Sequence, residues 1–485
     1  MGYRTEPIDE YDTDKVVGGE KGEAIADLPQ YDGDMVGEIS DRERVIERGE
    51  HKYNRLGWKR LTIVLIVEAI ALGSLSIPST FATLGMVPGV ICCVGIGFIA
   101  IYTSYVVGQV KLKFPHVGNY PDAGRLIGGR WGYEIVSIML ALQLVLLTAS
   151  HCLTGTIAFI NITQSNVCSI VFAVVSAVLL LLVAIPPSFS EMAILGYIDF
   201  GSIVAAIGIT IIATGITHNE SPGLEHVPWS AWPKEGTTFT DAFIALTNII
   251  FAYSFAMCQF SFMDEMHTPK DYVKSIWALG LTEIFIYTVT GALIYRFVGQ
   301  DVQSPALLSA GHTVSRIAFG VALPVIFISG SINTVVLGRL ILSRFWQNSP
   351  VRYVNTKRGW IIWLAIISVI TWLAFVIGEV IPFFNDLLSI SSSLFISGFT
   401  FYFPAIFWFV LIREGPWTSP KNLALTLLNG LTLIIGLVVL VAGTYASVQD
   451  IINNYATGSV RGVFTCAAPE GAPQLDLNTL IVLLY

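Results

Sequence analysis

Residues 61–85 read LTIVLIVEAIALGSLSIPSTFATLG, an apolar run long enough to cross a bilayer as a helix. The run carries one carboxylate, Glu68, and a Gly73-Ser74-Leu75-Ser76-Ile77-Pro78 interruption at its middle. In lipid, a backbone N–H or C=O freed by such an interruption is tolerated only where protein or a water-filled cavity satisfies it. Two arrangements meet that demand. One is a Pro-kinked structural helix, since Gly and Pro are common in membrane helices. The other is a helix broken at mid-membrane, of the kind that builds the substrate sites of secondary transporters.

Of the 485 residues, 54% are hydrophobic and 13% charged, and the mean hydropathy is +0.67. Soluble domains carry about 25% charged residues, so most of this chain belongs in lipid. Residues 1–50 hold 15 Asp+Glu against 6 Lys+Arg, while the rest is balanced at 20 against 21. The acidity therefore belongs to an N-terminal tail, which reads as disordered for want of apolar residues. It has no apolar run of the kind a cleavable signal peptide needs. Nothing is basic enough for nucleic acid. Of the six cysteines, Cys92, Cys93, Cys152, Cys168, Cys258 and Cys466, none forms a C-x-x-C pair or a zinc spacing. No metal and no cofactor is expected.

A spanning helix needs about 20 apolar residues. Eleven such stretches occur, at roughly 60–84, 86–111, 133–160, 167–185, 191–217, 240–263, 273–297, 314–343, 359–380, 383–412 and 423–447. The expected fold class is an all-α polytopic membrane protein with a tail over 1–50, a core over 51–447 and a C-terminal tail over 448–485. Lys52, Arg55, Lys59 and Arg60 precede the first span, which places the N-terminus in the cytosol. Alternation puts loops 112–132 and 344–358, both carrying Lys and Arg, on the same side. It puts loop 218–239 and the C-terminus outside. Two glycosylation candidates also fall outside, Asn161-Ile162-Thr163 and Asn219-Glu220-Ser221. So do Cys168 and Cys466, on the side that permits disulfides; they read either as a bridge pinning the C-terminal tail or as two free thiols.

Ionisable residues inside spans are costly and are functional candidates by default. Glu68, Asp199 and Glu283 are the proton-coupling candidates, because burial alone moves a carboxyl toward the range where protons exchange. The competing reading pairs each with a basic or polar neighbour. His151 in span three reads more simply as satisfying a hydroxyl or carbonyl. Glu134, Glu191, Glu379 and Asp386 lie near span ends, where interfacial water makes them ordinary. Span six is interrupted by Tyr253, Ser254 and Gln259. If spans 1–5 and 6–10 are inverted repeats, it is the counterpart of span one, and breaks in both follow from that symmetry.

Three motifs then carry a resemblance. Ala71-Leu72-Gly73-Ser74-Leu75-Ser76-Ile77-Pro78 resembles the first-helix signature of the amino acid/auxin permease family of the APC superfamily. Phe251-Ala252-Tyr253-Ser254 with Glu265-Met266-x-x-Pro269 resembles its sixth helix, and Ser393-Leu394-Phe395 with Pro404 its tenth. The first-helix block is most similar to fungal neutral amino acid permeases of the Mtr type. The resemblance covers about 52–447. It implies a five-plus-five inverted repeat with broken helices 1 and 6 plus one extra helix. It also implies an amino acid held between helices 1, 3, 6, 8 and 10, coupled to protons or sodium. The chain departs from the family at Ser254-Phe255-Ala256, where relatives often carry Gly, and at Glu68, where many carry a small hydroxyl residue.

A zwitterion needs donors for its carboxylate and acceptors for its ammonium. Freed N–H groups around Leu72, Gly73 and Ser74 would serve the first, and carbonyls of 69–71 and 251–253 the second. Ala71, Ala252, Ser254, Phe251, Tyr253, Leu146 and Asn333 complete the expected site. Without a charged residue there, the substrate reads as a neutral, aliphatic or aromatic L-amino acid, imported with a proton by alternating access. The alternatives are a sodium-coupled symporter and an amino acid sensor on a transporter scaffold. No enzyme motif is present. The location reads as plasma membrane, with the vacuolar membrane as the other choice.

Overall fold

The computed structural model describes residues 56–165, 167–220, 223–346, 349–457 and 461–469. The tail read over 1–50 lies outside the described residues, as does the apolar end at 480–485. Among the described residues, nine helices are long and apolar enough to cross a membrane, and two shorter apolar ones complete the set. They are α1 (Trp58–Leu84), α2 (Met86–Lys113), α3 (Tyr120–Thr163), α4 (Ser169–Val183) and α5 (Phe189–Glu220). After these come α6 in two pieces (Phe239–Ala252 and Gln259–Asp264), α7 (Tyr272–Val298) and α8 (His312–Phe345). The last three are α9 (Lys357–Val380), α10 (Phe384–Ile412) and α11 (Leu423–Thr457). Helix α1 packs on α5, α6 and α7, and α2 on α7. Helix α3 packs on α8, α9 and α4, and α8 also on α5. The architecture is the five-plus-five arrangement with α11 added outside it.

The largest departure from the sequence reading concerns α1. It runs unbroken from Trp58 to Leu84, with Pro78 inside and every residue from Ala69 to Pro78 buried. The hydroxyls of the interruption explain why. Ser74 Oγ donates to Ile70 O at 2.6 Å and lies 3.0 Å from Ala71 O. Ser76 Oγ donates to Gly73 O at 3.0 Å, Ser79 Oγ to Ser76 O at 2.7 Å and Thr80 Oγ1 to Ile77 O at 2.7 Å. Serine and threonine bonding back onto carbonyls three or four residues earlier hold a helix together across a proline. Gly73 supplies closeness to a neighbour here, rather than an unwound turn.

Helix α6 is broken, as read. Its first half opens on a capping box, Thr238 with Asp241, and ends at Ala252. Tyr253 and Ser254 leave helical geometry, a single 3₁₀ turn covers Phe255–Met257, and the second half resumes at Gln259. Gln259 Nε2 donates to Ser104 O at 3.0 Å, tying that second half to α2.

Two boundaries also move, and one helix changes its winding. Helix α3 begins at Tyr120, inside the stretch read as loop 112–132, and bends at Gly128-Gly129, where Gly129 has φ +57°. Helix α11 continues to Thr457, ten residues into what was read as tail. Within α10, residues Ser392–Tyr402 wind as a π-helix. Such windings recur at functional sites.

Residues 461–469 form a strap opposite the face where α1 begins. Cys168, at the start of α4, is disulfide-bonded to Cys466, with Cα atoms 4.3 Å apart. Arg461 donates to Glu379 of α9 at 3.0 Å and to Ser169 Oγ at 2.7 Å. Both partners of that ion pair are buried. Glu379, read as an ordinary interfacial carboxylate, thus holds the only cation bonded to it among the described residues. Removing one partner of a buried ion pair strands the other charge. Arg461→Ala is therefore expected to destabilise the protein by about 3–5 kcal/mol. Thermal unfolding in detergent reads this out, and an unchanged midpoint would show that the pair contributes nothing.

Candidate functional site

The break in α6 sits against α1 at Gly73. A Cβ added at Gly73 would lie 2.8 Å from Ala252 Cβ and 2.9 Å from Ala252 Cα. Tyr287 of α7 secures the crossing from behind. Its Oη lies 2.8 Å from Ala69 O and 3.1 Å from Ala252 O, so its one proton serves carbonyls of both helices. Beside this crossing lies a small central cavity lined from α1 by Glu68, Ala69, Leu72 and Gly73. Leu147 and His151 of α3, Phe251 and Ser254 of α6 and Asn333 of α8 complete its wall. Its free space is about 10 Å³. That holds about one water. The structure is therefore closed around the site, and α1 and α6 must move against α3 and α8 to admit a solute.

The polar lining is rich in acceptors. The Glu68 carboxylate has no nitrogen or oxygen partner, only the thiol of Cys258, and Asn333 Oδ1 has no partner. Asn333 Nδ2 donates to Ser329 O at 3.3 Å, and Ser329 Oγ to Glu68 O at 3.4 Å, so α8 holds α1 beside the cavity. His151 Nδ1 lies 2.7 Å from Ile326 O. A carbonyl only accepts, so Nδ1 carries the ring proton and Nε2 is the acceptor of the neutral imidazole. None of the lining residues is Lys or Arg.

Five of the expected site residues meet here: Leu72, Gly73, Phe251, Ser254 and Asn333. Ala71 and Ser74 do not line the cavity, and the Ser74 hydroxyl is spent on its own helix. The N–H groups of 72–74 lie inside a continuous helix, so they are not the freed donors that the sequence reading required. Leu146 is replaced by its neighbour Leu147, one position round the helix. Ala252 faces Gly73, and Tyr253 turns toward Tyr287, with ring centroids 5.2 Å apart. The reading took Ala69 only for its carbonyl, and it missed Leu147 and His151 as lining and Tyr287 as the clamp. Spacing carried the signal for most of these. Residues 147 and 151 are four apart, as are 68 and 72, so each pair shares a helix face.

The other candidates lie away from the cavity. Asp199 is buried on α5, with neither oxygen partnered. One turn back, a Cβ at Gly196 would lie 3.1 Å from Ile63 and Val67 of α1; one turn on, Ser202 Oγ donates to Val321 O of α8 at 2.5 Å. Asp199 thus sits on the face of α5 turned to α1 and α8. Glu283 is buried on α7, also unpartnered. Asn161 is buried inside α3, where Ser315 Oγ donates to its Oδ1 at 3.3 Å, and is closed to a glycan. The second sequon, Asn219-Glu220-Ser221, runs into residues outside the described ones.

A wide vestibule opens on the face where α1 begins. Its free space is about 1130 Å³, between the start of α3, the end of α6 and the end of α8. Glu265 pairs with Arg339 across it, joining α6 to α8, and Lys111 pairs with Asp264 at 2.7 Å. Leu56 N donates to Glu265 O at 2.9 Å, so the chain enters α1 beside that pair.

Among the described residues, eleven apolar helices surround a closed central cavity, one of them split at mid-span, and this is the arrangement of a transporter of the APC type. Residues 54–449 match the family described as transmembrane amino acid transporter protein. The chain belongs to that family: it is a multi-pass membrane transporter of amino acids and not an enzyme. The N amino acid transport system protein of Neurospora crassa is 58% identical over 455 residues, covering 92% of this chain and 97% of that one. The lysine histidine transporter-like 6 protein of Arabidopsis thaliana is 23% identical, over 83% of this chain and 92% of its own. Two solved structures share the fold at 14% identity. MhsT in complex with L-phenylalanine has a TM-score of 0.54 and covers 79% of this chain and 98% of its own. The nucleobase-cation-symport-1 family transporter Mhp1, closed with bromovinylhydantoin bound, has a TM-score of 0.51 and covers 84% and 93%.

Proposed function

We propose that the protein imports neutral L-amino acids, aliphatic and aromatic, by proton symport with alternating access. The observation that carries this reading is the Glu68 carboxylate, buried in the wall of the central cavity with the Cys258 thiol as its hydrogen-bond neighbour and no Lys or Arg among the lining residues. An unpaired carboxylate in such a place binds a proton rather than stay charged. A lining without cationic side chains suits a substrate whose own charges cancel, and Leu72, Leu147 and Phe251 offer apolar walls for its side chain. The name of the Neurospora relative, an amino acid transport system protein, is in keeping with that substrate class.

Asp199 and Glu283, buried and unpartnered on α5 and α7, are the other candidates for the coupled proton. With the basic loops in the cytosol, the vestibule faces inward and the strap of 461–469 faces outward, where its disulfide is stable. That orientation fits the plasma membrane. In proteoliposomes, uptake of labelled L-leucine should follow an imposed pH gradient and persist when choline replaces sodium. Loss of uptake on removing sodium at constant pH would overturn proton coupling.

A further inference from the structure

We propose that the vestibule wall between the start of α3 and the end of α8 binds the phosphomonoester headgroup of a lipid from the adjoining leaflet. The site is independent of the coupled ion and of the amino acid carried. Five arginines line the vestibule, Arg125, Arg130, Arg339, Arg344 and Arg352, against the carboxylates Asp122, Glu134 and Asp264. Arg344 bonds Glu134 at 2.6 Å, Arg339 pairs with Glu265, and Asp264 is taken by Lys111. Asp122 lies one turn before Arg125 and accepts from Gly118 N at 3.1 Å. With Lys111 and Glu265 included, six cations face four carboxylates. The side chains of Arg130 and Arg352 are left without an ion pair among the described residues. A phosphomonoester carries about −1.5 to −2 charge at neutral pH and three strong acceptor oxygens, which matches that excess of two. A phosphodiester or zwitterionic headgroup offers less of both.

The cations are gathered on one wall. The Arg125 guanidinium lies 4.2 Å from the centre of the Tyr133 ring, and that of Arg344 lies 5.4 Å from the same ring. Two guanidinium groups on one ring repel each other unless an anion joins them, and their planar forks suit phosphate oxygens. Arg125 is held in place because the first part of α3 folds back at Gly128-Gly129; a Cβ at Gly124 would lie 2.8 Å from Gly132 O. Outside this wall, Trp131 is 78% exposed and Phe345 67%, next in sequence to Arg130 and Arg344. Arg344 also lies 5.6 Å from the Phe345 ring. Exposed aromatics at span ends mark the level of the headgroups, and basic pockets between spans at that level bind anionic ones. With the vestibule facing inward, the lipid belongs to the cytosolic leaflet. Its headgroup joins α3 to α8, the frame against which α1 and α6 move, without entering the central cavity.

The experiment measures binding of radiolabelled dioleoyl phosphatidic acid to the purified full-length protein in detergent. Binding should saturate at one lipid per chain, and an equal concentration of phosphatidylcholine should not displace it. Arg125→Gln with Arg352→Gln should weaken binding at least about tenfold, since each loses a charged hydrogen-bond donor. Lys357→Gln with Arg358→Gln removes two exposed charges at the start of α9, outside the vestibule, and should change binding less than about twofold. Equal losses in the two double variants would show only a general attraction to a basic surface and overturn the built site. Displacement of the lipid by an equal concentration of inorganic phosphate would overturn the lipid as the source of the headgroup. If the vestibule double variant does not fold, Arg130→Gln decides, because Arg130 is exposed and unpaired. It should weaken binding at least about threefold, and unchanged binding would overturn the proposal.

Discussion

Gly73→Val should abolish substrate binding and uptake while the protein still inserts and reaches the membrane. A Cβ at this position already lies 2.8 Å from Ala252 Cβ, 2.9 Å from Ala252 Cα and 3.1 Å from Tyr287 Oη. Backbone cannot rotate aside as a side chain can, so the first half of α6 must move off α1. Overpacking of this kind costs about 1–3 kcal/mol, and the γ-methyls of valine add to it. The displaced elements are those that carry Leu72, Phe251 and Ser254 into the cavity, so the loss falls on the site rather than on insertion. Equilibrium binding of labelled L-leucine to purified variant, beside its surface expression, reads the two apart. Unchanged binding would place the substrate elsewhere.

Glu68→Gln should remove pH-driven accumulation. Glutamine keeps the shape of the side chain and its place in the cavity wall but cannot release a proton. Accumulation against a gradient should fall at least about tenfold relative to the rate of exchange between equal substrate pools, because exchange needs the conformational step without net proton movement. The same pH gradient imposed on wild-type and variant vesicles makes the comparison. Accumulation at wild-type level would take Glu68 out of the coupling mechanism.

Much of the fold was legible because lipid imposes a simple rule. A span must be long, apolar and internally hydrogen-bonded, so length and hydropathy located all eleven helices to within a few residues at most ends. The misjudged ends have local causes. Residues 120–127 are polar enough to read as loop, yet Asn119 caps them, its Oδ1 accepting from Asp122 N at 3.0 Å. The last turns of α11 carry Gln449, Asp450, Asn453 and Asn454, polar enough to read as tail. Tyr455 Oη donates to Val380 O at 2.6 Å, which holds that end of the helix against α9.

The site was legible in part. That α1 and α6 meet at Gly73 and at Tyr253-Ser254 followed from the small and polar residues placed there. That only α6 breaks did not follow, because a Gly-Ser-x-Ser-x-Pro run is compatible with an open turn or with hydroxyls closing back on their own helix. The outcome depends on whether neighbouring helices leave room to unwind, and Ala252 against Gly73 leaves none.

By itself, then, the order of residues determined the number of spans, the acidity of the tail, the lack of Lys and Arg in the middle of the first and sixth spans, and the presence of three carboxylates within the spans. It did so because each of these depends on composition along one helix at a time. Only the tertiary structure decided that Glu68 lines the cavity while Asp199 and Glu283 do not, that Tyr287 clamps two helices with one hydroxyl, and that Arg461 neutralises Glu379. Those partners lie between 35 and 218 residues apart in the chain. Their meeting depends on how faces of different helices turn toward one another, and no local periodicity records it.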